Sequence, residues 1–251
     1  MDISVHVVAT HAQLCVRAAR DSVERVLGYY ALSRALTSSS KYVAAKDLAL
    51  KRGLELEPRN YELLSDYARH AVGLNRPDAL RAAERAVALS PLEAGAYSGM
   101  AIVLYYLRRY EEASEYFRQS SRLSGVAFDA WLGTMEIAAR RPSLALPYCE
   151  SSSDIWDTQT CLAIAYYQIG RKPEAAATLE RLVTENGDSL AYQYAQIYAQ
   201  WGKKDTALKW LTTAARLQDP GLTDIKVDPL IDPIRDAPQF EEIVEKLNFP
   251  R

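Results

Sequence analysis

Along most of the chain, apolar residues recur three and four positions apart in stretches broken by short polar turns, the spacing of amphipathic helices. The clearest stretch reads Tyr97-x2-Met100-Ala101-x2-Leu104, followed by Tyr110-x2-Ala113-x3-Phe117-x2-Ser120. Both spacings put the apolar side chains on one helical face, so two paired helices are expected here. The mix of sizes has a packing reason: small residues let the paired helices approach, and large ones fill the space between neighbouring pairs.

Counting outward recovers the same arrangement at a period of about 34 residues. Upstream lie Tyr29-x2-Leu32-Ser33-x2-Leu36 with Tyr42-x2-Ala45-x3-Ala49, then Leu64-x2-Tyr67-Ala68-x2-Ala71 with Ala79-x3-Ala83-x2-Ala86. Pro58 and Pro91 each follow a second helix, where a proline is tolerated. Downstream lie Leu162-Ala163-x2-Tyr166 with Ala175-x3-Leu179-x2-Leu182, and Tyr194-Ala195-x2-Tyr198 with Ala207-x3-Leu211-x2-Ala214. Gly170 and Gly202 occupy the same interhelix turn of these two copies.

Residues 126–153 form a degenerate unit. A first helix over about 128–140 carries Trp131 and Met135, and a short second one is cut by Pro147 and the Ser151–Asp154 turn, with Asp154 capping the next helix. The expected organisation is an N-terminal capping helix over 1–25, a repeat array over 26–218, and a C-terminal segment over 219–251. In that last segment Asp219-Pro220-Gly221, Asp228-Pro229 and Asp232-Pro233 mark turns. A final helix over about 238–247 presents Phe240, Ile243, Val244 and Leu247 on one face, which suits a cap on the last repeat.

The repeated bulky–apolar–small motif followed by Ala-x3-aromatic resembles the tetratricopeptide (TPR) repeat. The resemblance implies an all-α, right-handed superhelical solenoid of about six stacked antiparallel helix pairs. The C-terminal run Ala195-Gln196-Ile197-Tyr198-Ala199-Gln200-Trp201-Gly202, with Ala207-x2-Trp210-Leu211, Asp219-Pro220-Gly221-Leu222 and Lys226-Val227-Asp228-Pro229-Leu230, is similar to TPR segments attached to bacterial adenylate/guanylate cyclases and to winged-helix (TolB-like) regulators. That likeness implies a regulatory or sensory subunit working with a catalytic or DNA-binding domain, which this sequence does not contain.

Candidate chemistry is sparse. No phosphate-binding glycine loop and no nucleophile elbow occur. His6 and His11 are too far apart for one helical face, and His70 stands alone, so neither a metal site nor a cofactor is expected. The acidic series Asp219, Asp224, Asp228, Asp232 and Asp236 lacks a calcium-loop pattern, and three of its members precede proline, as turn residues do. With 30 basic and 32 acidic residues, no field exists to hold nucleic acid. The longest apolar run, 101–107, is too short to insert in a membrane. No signal peptide is evident, and three cysteines (Cys15, Cys149, Cys161) without a motif suggest free thiols in a reducing, cytoplasmic compartment. A slightly basic first half and slightly acidic second half make homo-oligomers conceivable by head-to-tail contact.

What remains is a non-enzymatic surface for a protein or peptide partner. In a stacked array the first helix of each pair lines a concave groove, which nominates Tyr30, Arg34, Arg69, Tyr105, Tyr106, Tyr167, Tyr192 and Gln196. Tyrosine offers large contact area with a hydroxyl at little entropic cost, and Arg34 and Arg69 could grip a carboxylate. Tyrosine is conspicuous, 16 against 4 phenylalanines, and only part of that excess falls on packing positions of the repeat.

Overall fold

A computed structural model describes residues 22–151 and 155–250. The proposed N-terminal cap, apart from the helix that begins at Ser22, lies outside the described residues, as do Cys15, His6, His11 and Asp154. The described chain is helical throughout, with no strand.

Thirteen α-helices are described: α1 Ser22–Ala35, α2 Val43–Leu56, α3 Tyr61–Gly73, α4 Ala79–Leu89, α5 Ala94–Tyr106, α6 Tyr110–Ser124, α7 Asp129–Ala138, α8 Pro142–Ser151, α9 Ile155–Gln168, α10 Lys172–Asn186, α11 Ala191–Gln200, α12 Lys204–Leu217 and α13 Pro238–Leu247. The first twelve form six hairpins, each helix packing on its sequence neighbour. First helices of successive hairpins also touch, α3 on α5, α7 on α9 and α9 on α11. That row makes one continuous face.

The small positions of the motif are where the backbones meet. Ala68, Ala101, Ala163 and Ala195 on first helices, and Ala83, Ala113, Ala175 and Ala207 on second helices, are all fully or almost fully buried. Interior polar groups stitch helices together: Ser65 Oγ donates to Gly95 O and Trp201 Nε1 to Ala163 O at 3.0 Å between hairpins, and Ser120 Oγ to Ala94 O within the third.

The unit at 126–153 is more regular than its sequence suggests. Gly133 and Ala145 are twelve apart, like Ala101 and Ala113, and Cys149 takes the place of Phe117. Pro147 does not end α8 but lies inside it. Cys149 of α8 and Cys161 of α9 are joined in a disulfide, both buried. This corrects the expectation of free thiols and removes the thiol argument for a reducing compartment. A Cβ on Gly133 would stand 2.7 and 2.8 Å from the two sulfurs, so only glycine lets α7 reach this junction.

The first pair departs in the opposite sense. Two short 3₁₀ turns, Leu36–Ser38 and Ser40–Tyr42, fill its interhelix connection, and they put Lys46 thirteen residues after Ser33, where hairpins three to six have a spacing of twelve. Ala45 is therefore exposed, Leu50 takes the buried position, and Lys46 falls where Ala79 sits one repeat later.

After α12 the chain does not leave the array. Residues 218–236 turn back across the face lined by the first helices, through two 3₁₀ turns, Pro220–Asp224 and Pro229–Ile234, before α13 packs on α12. Asp219 and Asp228 each accept from the backbone N–H two residues on (Gly221 at 2.8 Å, Leu230 at 2.9 Å), so the Asp-Pro pairs are turn caps. Leu222, Ile225, Ile231 and Ile234 are fully buried. The segment even reaches the first hairpin, where Ser40 N–H donates to Gln218 O at 3.1 Å.

Candidate functional site

The concave face is thus floored by the chain's own C-terminal segment. On α5, the Tyr106 hydroxyl donates to Asp224 at 2.9 Å. On α11, the Tyr192 hydroxyl and Gln196 Nε2 both donate to Asp228, at 2.9 and 2.7 Å, and Gln200 Nε2 donates to Leu230 O. Arg108, just after α5, donates to Val227 O and forks onto Asp232. Arg235 closes the segment on itself by donating to the carbonyls of Ile225, Lys226 and Asp228. At Gly73 of α3 the approach is so close that a Cβ would lie 2.5 Å from Asp224 Oδ1 and 2.9 Å from Thr223 O.

Arg108 shows how the array adapts to hold this segment. The interhelix turns of hairpins two to six each contain a left-handed residue: Asn75, Arg108, Arg140, Gly170 and Gly202. Glycine adopts that conformation without strain, whereas arginine does so at a cost of about 1 kcal/mol. At Arg108 the side chain that glycine would lack is the one that grips the C-terminal segment.

The nominated groove residues fall in four places. Tyr106, Tyr192 and Gln196 hold the segment. Tyr105 does not line an open groove: it is 2% exposed and packed against Tyr106, Tyr110 and Trp131. Tyr192 is 3% exposed, its ring pressed by Gly221. Tyr167 stands apart, stacked on Trp201 at 4.7 Å. Tyr30, Arg34 and Arg69 gather at the other end around Asp66. Arg69 bonds Asp66 and Arg34 lies 3.8 Å from it. Burial and the nearby Asp66 push the Tyr30 hydroxyl pKa up.

Several contributors escaped sequence reasoning. Lys46, Asp66, His70 and Asp224 join Arg34 and Arg69 around a cleft of about 360 Å³. Lys46 donates to Thr37 Oγ1 at 3.0 Å, and burial pulls its pKa down. Burial likewise lowers His70, to about 3, and raises Asp224 to about 6 against the pull of the Tyr106 hydrogen bond. The repeat pattern does not single these residues out, because Lys46 enters an alanine register only once the first interhelix connection is traced. Among the described residues no group of three His, Cys, Asp or Glu is placed to hold a metal, and no helix is long and apolar enough to cross a membrane.

The Asp224 shift has a testable consequence. The folded state binds this proton more tightly than the unfolded chain, so the group stabilises most below about pH 4 and that contribution is lost as pH rises through about 6. Buried His70 works oppositely, its neutral form stabilising above about pH 6.5 and losing that contribution on acidification. Comparison of Asp224→Asn with the parent isolates the first effect. The amide still accepts from Tyr106, and the variant is expected to be more stable by about 1–3 kcal/mol at pH 7.5 and equal near pH 4. Urea titrations at both pH values measure it, and equal differences at the two would refute it.

No protein-family model matches the chain, and no curated protein matches it in sequence. Solved structures do match in shape. A tetratricopeptide repeat protein from Parabacteroides merdae superposes with a TM-score of 0.55 at 15% identity, covering 93% of this chain and 99% of that one. PilF of Pseudomonas aeruginosa gives 0.52 at 16% identity, covering 90% and 99%. The fold is a tetratricopeptide-like repeat array. The APC/C hetero-tetramer Cut9–Hcn1 matches with a TM-score of 0.56 at 13% identity, over 88% of this chain and 49% of that one. At these identities the TPR-like likeness concerns the fold alone.

Proposed function

We propose that the protein is a non-enzymatic interaction module whose concave face receives a segment of a protein or peptide partner. The observation that carries this reading is that the face already receives a peptide, the chain's own residues 218–235. Its carbonyls and carboxylates are met by Tyr106, Arg108, Tyr192, Gln196 and Gln200. That pattern, carboxylates and main-chain carbonyls held by side chains of the third and sixth hairpins, is what capture of an extended partner across the repeats requires. The end near Tyr30, Arg34 and Arg69 is not covered by that segment, and two guanidinium groups there suit an acidic side chain. A regulatory role beside a cyclase or transcription factor, implied by the C-terminal resemblance, draws no support from the fold neighbours.

The test uses Arg34→Ala, at a side chain that is 59% exposed, rather than changes at Tyr105 or Tyr106, because those two tyrosines pack the core and hold the C-terminal segment, or at Arg69, which bonds buried Asp66. Peptides selected from a displayed random library on the full chain should bind it in fluorescence polarisation. The variant should lose at least about tenfold in affinity while its melting stays close to the parent's. Unchanged affinity would remove the concave face from the reading.

A further inference from the structure

Beside the 360 Å³ cleft lies a second of about 330 Å³, and the two share Thr37, Tyr106, Trp131, Thr223 and Asp224 in their walls. Each alone is within the size range of small-molecule sites. The shared wall is permanent, because the apolar residues flanking Thr223 and Asp224, Leu222 and Ile225, are fully buried.

We propose that this double cleft binds a small organic anion with a flat aromatic body. The carboxylate or phosphate head sits among Arg34, Lys46 and Arg69, and the ring sits against Tyr106 and Trp131. The inference does not rest on peptide capture, since it concerns a ligand too small to span the repeats.

Charge and satisfaction of polar groups both point to an anion. Three cations from three different helices, α1, α2 and α3, line the first cleft against two carboxylates, Asp66 and Asp224. Arg34 and Arg69 share Asp66 between them. Asp224 is engaged by Tyr106. Lys46 has a neutral hydroxyl, Thr37 Oγ1, as its hydrogen-bond partner and no carboxylate in ion-pair range among the described residues. Asp66 and Asp224 act on this partly buried ammonium only from beyond ion-pair distance, and desolvation outweighs their attraction, so an incoming anion would be favoured.

The second cleft changes character. Its wall is formed by the partly buried Tyr106 and Trp131 with the almost fully buried Tyr105 and Tyr192 behind them, carries Thr134 and Gln193, and has no basic residue. Its two carboxylates, Asp224 and Asp228, are already engaged by Tyr106 and by Tyr192 and Gln196. Aromatic walls with neutral polar groups accept a planar ring bearing a few donors and acceptors. A ligand crossing from one cleft to the other therefore meets positive charge first and aromatic surface second.

The repeat itself supplies a variant that keeps the fold. Lys46 stands in an alanine register, so Lys46→Ala restores the residue found at Ala79, and Arg34→Ala alters a side chain that is 59% exposed. Isothermal titration of the full chain uses four probes: adenosine monophosphate and indole-3-acetate as aromatic anions, adenosine as the body without the head, and inorganic phosphate as the head without the body. At least one aromatic anion is expected to bind one-to-one, and at least about tenfold more tightly than adenosine or phosphate. Preference for the nucleotide assigns the head to phosphate, and preference for indole-3-acetate assigns it to carboxylate. Lys46→Ala and Arg34→Ala should each weaken the preferred probe about tenfold, with circular dichroism melting curves matching the parent. No saturable binding of either anion, or binding that both variants leave unchanged, would overturn the assignment.

Discussion

Replacing Ile225 and Ile231 together by alanine is expected to cost at least about 4 kcal/mol, enough to bring a domain of ordinary stability close to unfolding. Both side chains are fully buried in the cluster formed by α11, α12 and the C-terminal segment. Each truncation removes apolar contact and leaves a cavity that the hairpins, held by their own interfaces, cannot close. Loss should extend beyond the last repeat, because the segment also touches α3 at Gly73 and the first hairpin at Ser40. Urea denaturation followed by circular dichroism gives the free energy. A cost under about 1 kcal/mol would mean that the segment is loosely docked and displaceable. Such a result would turn the segment from a floor of the concave face into a detachable occupant.

The second large effect is expected at Asp47. This carboxylate on α2 is almost fully buried and takes both guanidinium nitrogens of Arg76 from the α3–α4 turn, one at 3.0 Å, with Lys51 at 2.9 Å. Burial by itself would raise the Asp47 pKa, but the Arg76 and Lys51 hydrogen bonds outweigh it and hold the group below its usual range. Asp47→Ala deprives the Arg76 guanidinium, only 10% exposed, of its carboxylate. The expected loss is about 3–5 kcal/mol, most of it the penalty of a buried charge without its counter-charge. The paired replacement Asp47→Leu/Arg76→Met should recover most of that loss, since apolar groups of similar volume need no counter-charge. If the pair remains as unstable as the single variant, packing rather than charge explains the site.

Much of the architecture was legible from spacing alone. The small residues of the motif had to be where backbones meet, because no larger side chain fits between paired helices, and Ala68, Ala101, Ala163 and Ala195 are there. The irregular first and fourth hairpins were harder to read. At α7 and α8 the motif is carried by Gly133, Ala145 and Cys149, which satisfy the same volumes with residues that do not look like the pattern. In the first hairpin a longer turn moves Lys46 into an alanine register, thirteen residues after Ser33 instead of twelve, a shift invisible until the connection is traced.

The candidate site was legible only in part. Counting along first helices found Tyr106, Tyr192, Gln196, Arg34 and Arg69, because a helix fixes which residues share a face. It could not show that Tyr105 turns into the core or that Tyr167 stacks on Trp201, since a side chain's neighbours come from other repeats. Nor could turn signals at Asp219, Asp228 and Asp232 reveal where the turning segment goes.

Local periodicity therefore determined the helices, their pairing and the alanine seams, all of which depend on residues within one repeat of each other. Tertiary structure alone decided that residues 218–236 cross the concave face, that Cys149 meets Cys161, and that Lys46 joins Arg34 and Arg69. The first of these depends on how rotation and rise accumulate over six hairpins, and the other two on how neighbouring helices pack side by side. A small change per repeat is not written in any one repeat, yet it brings residue 40 to residue 218.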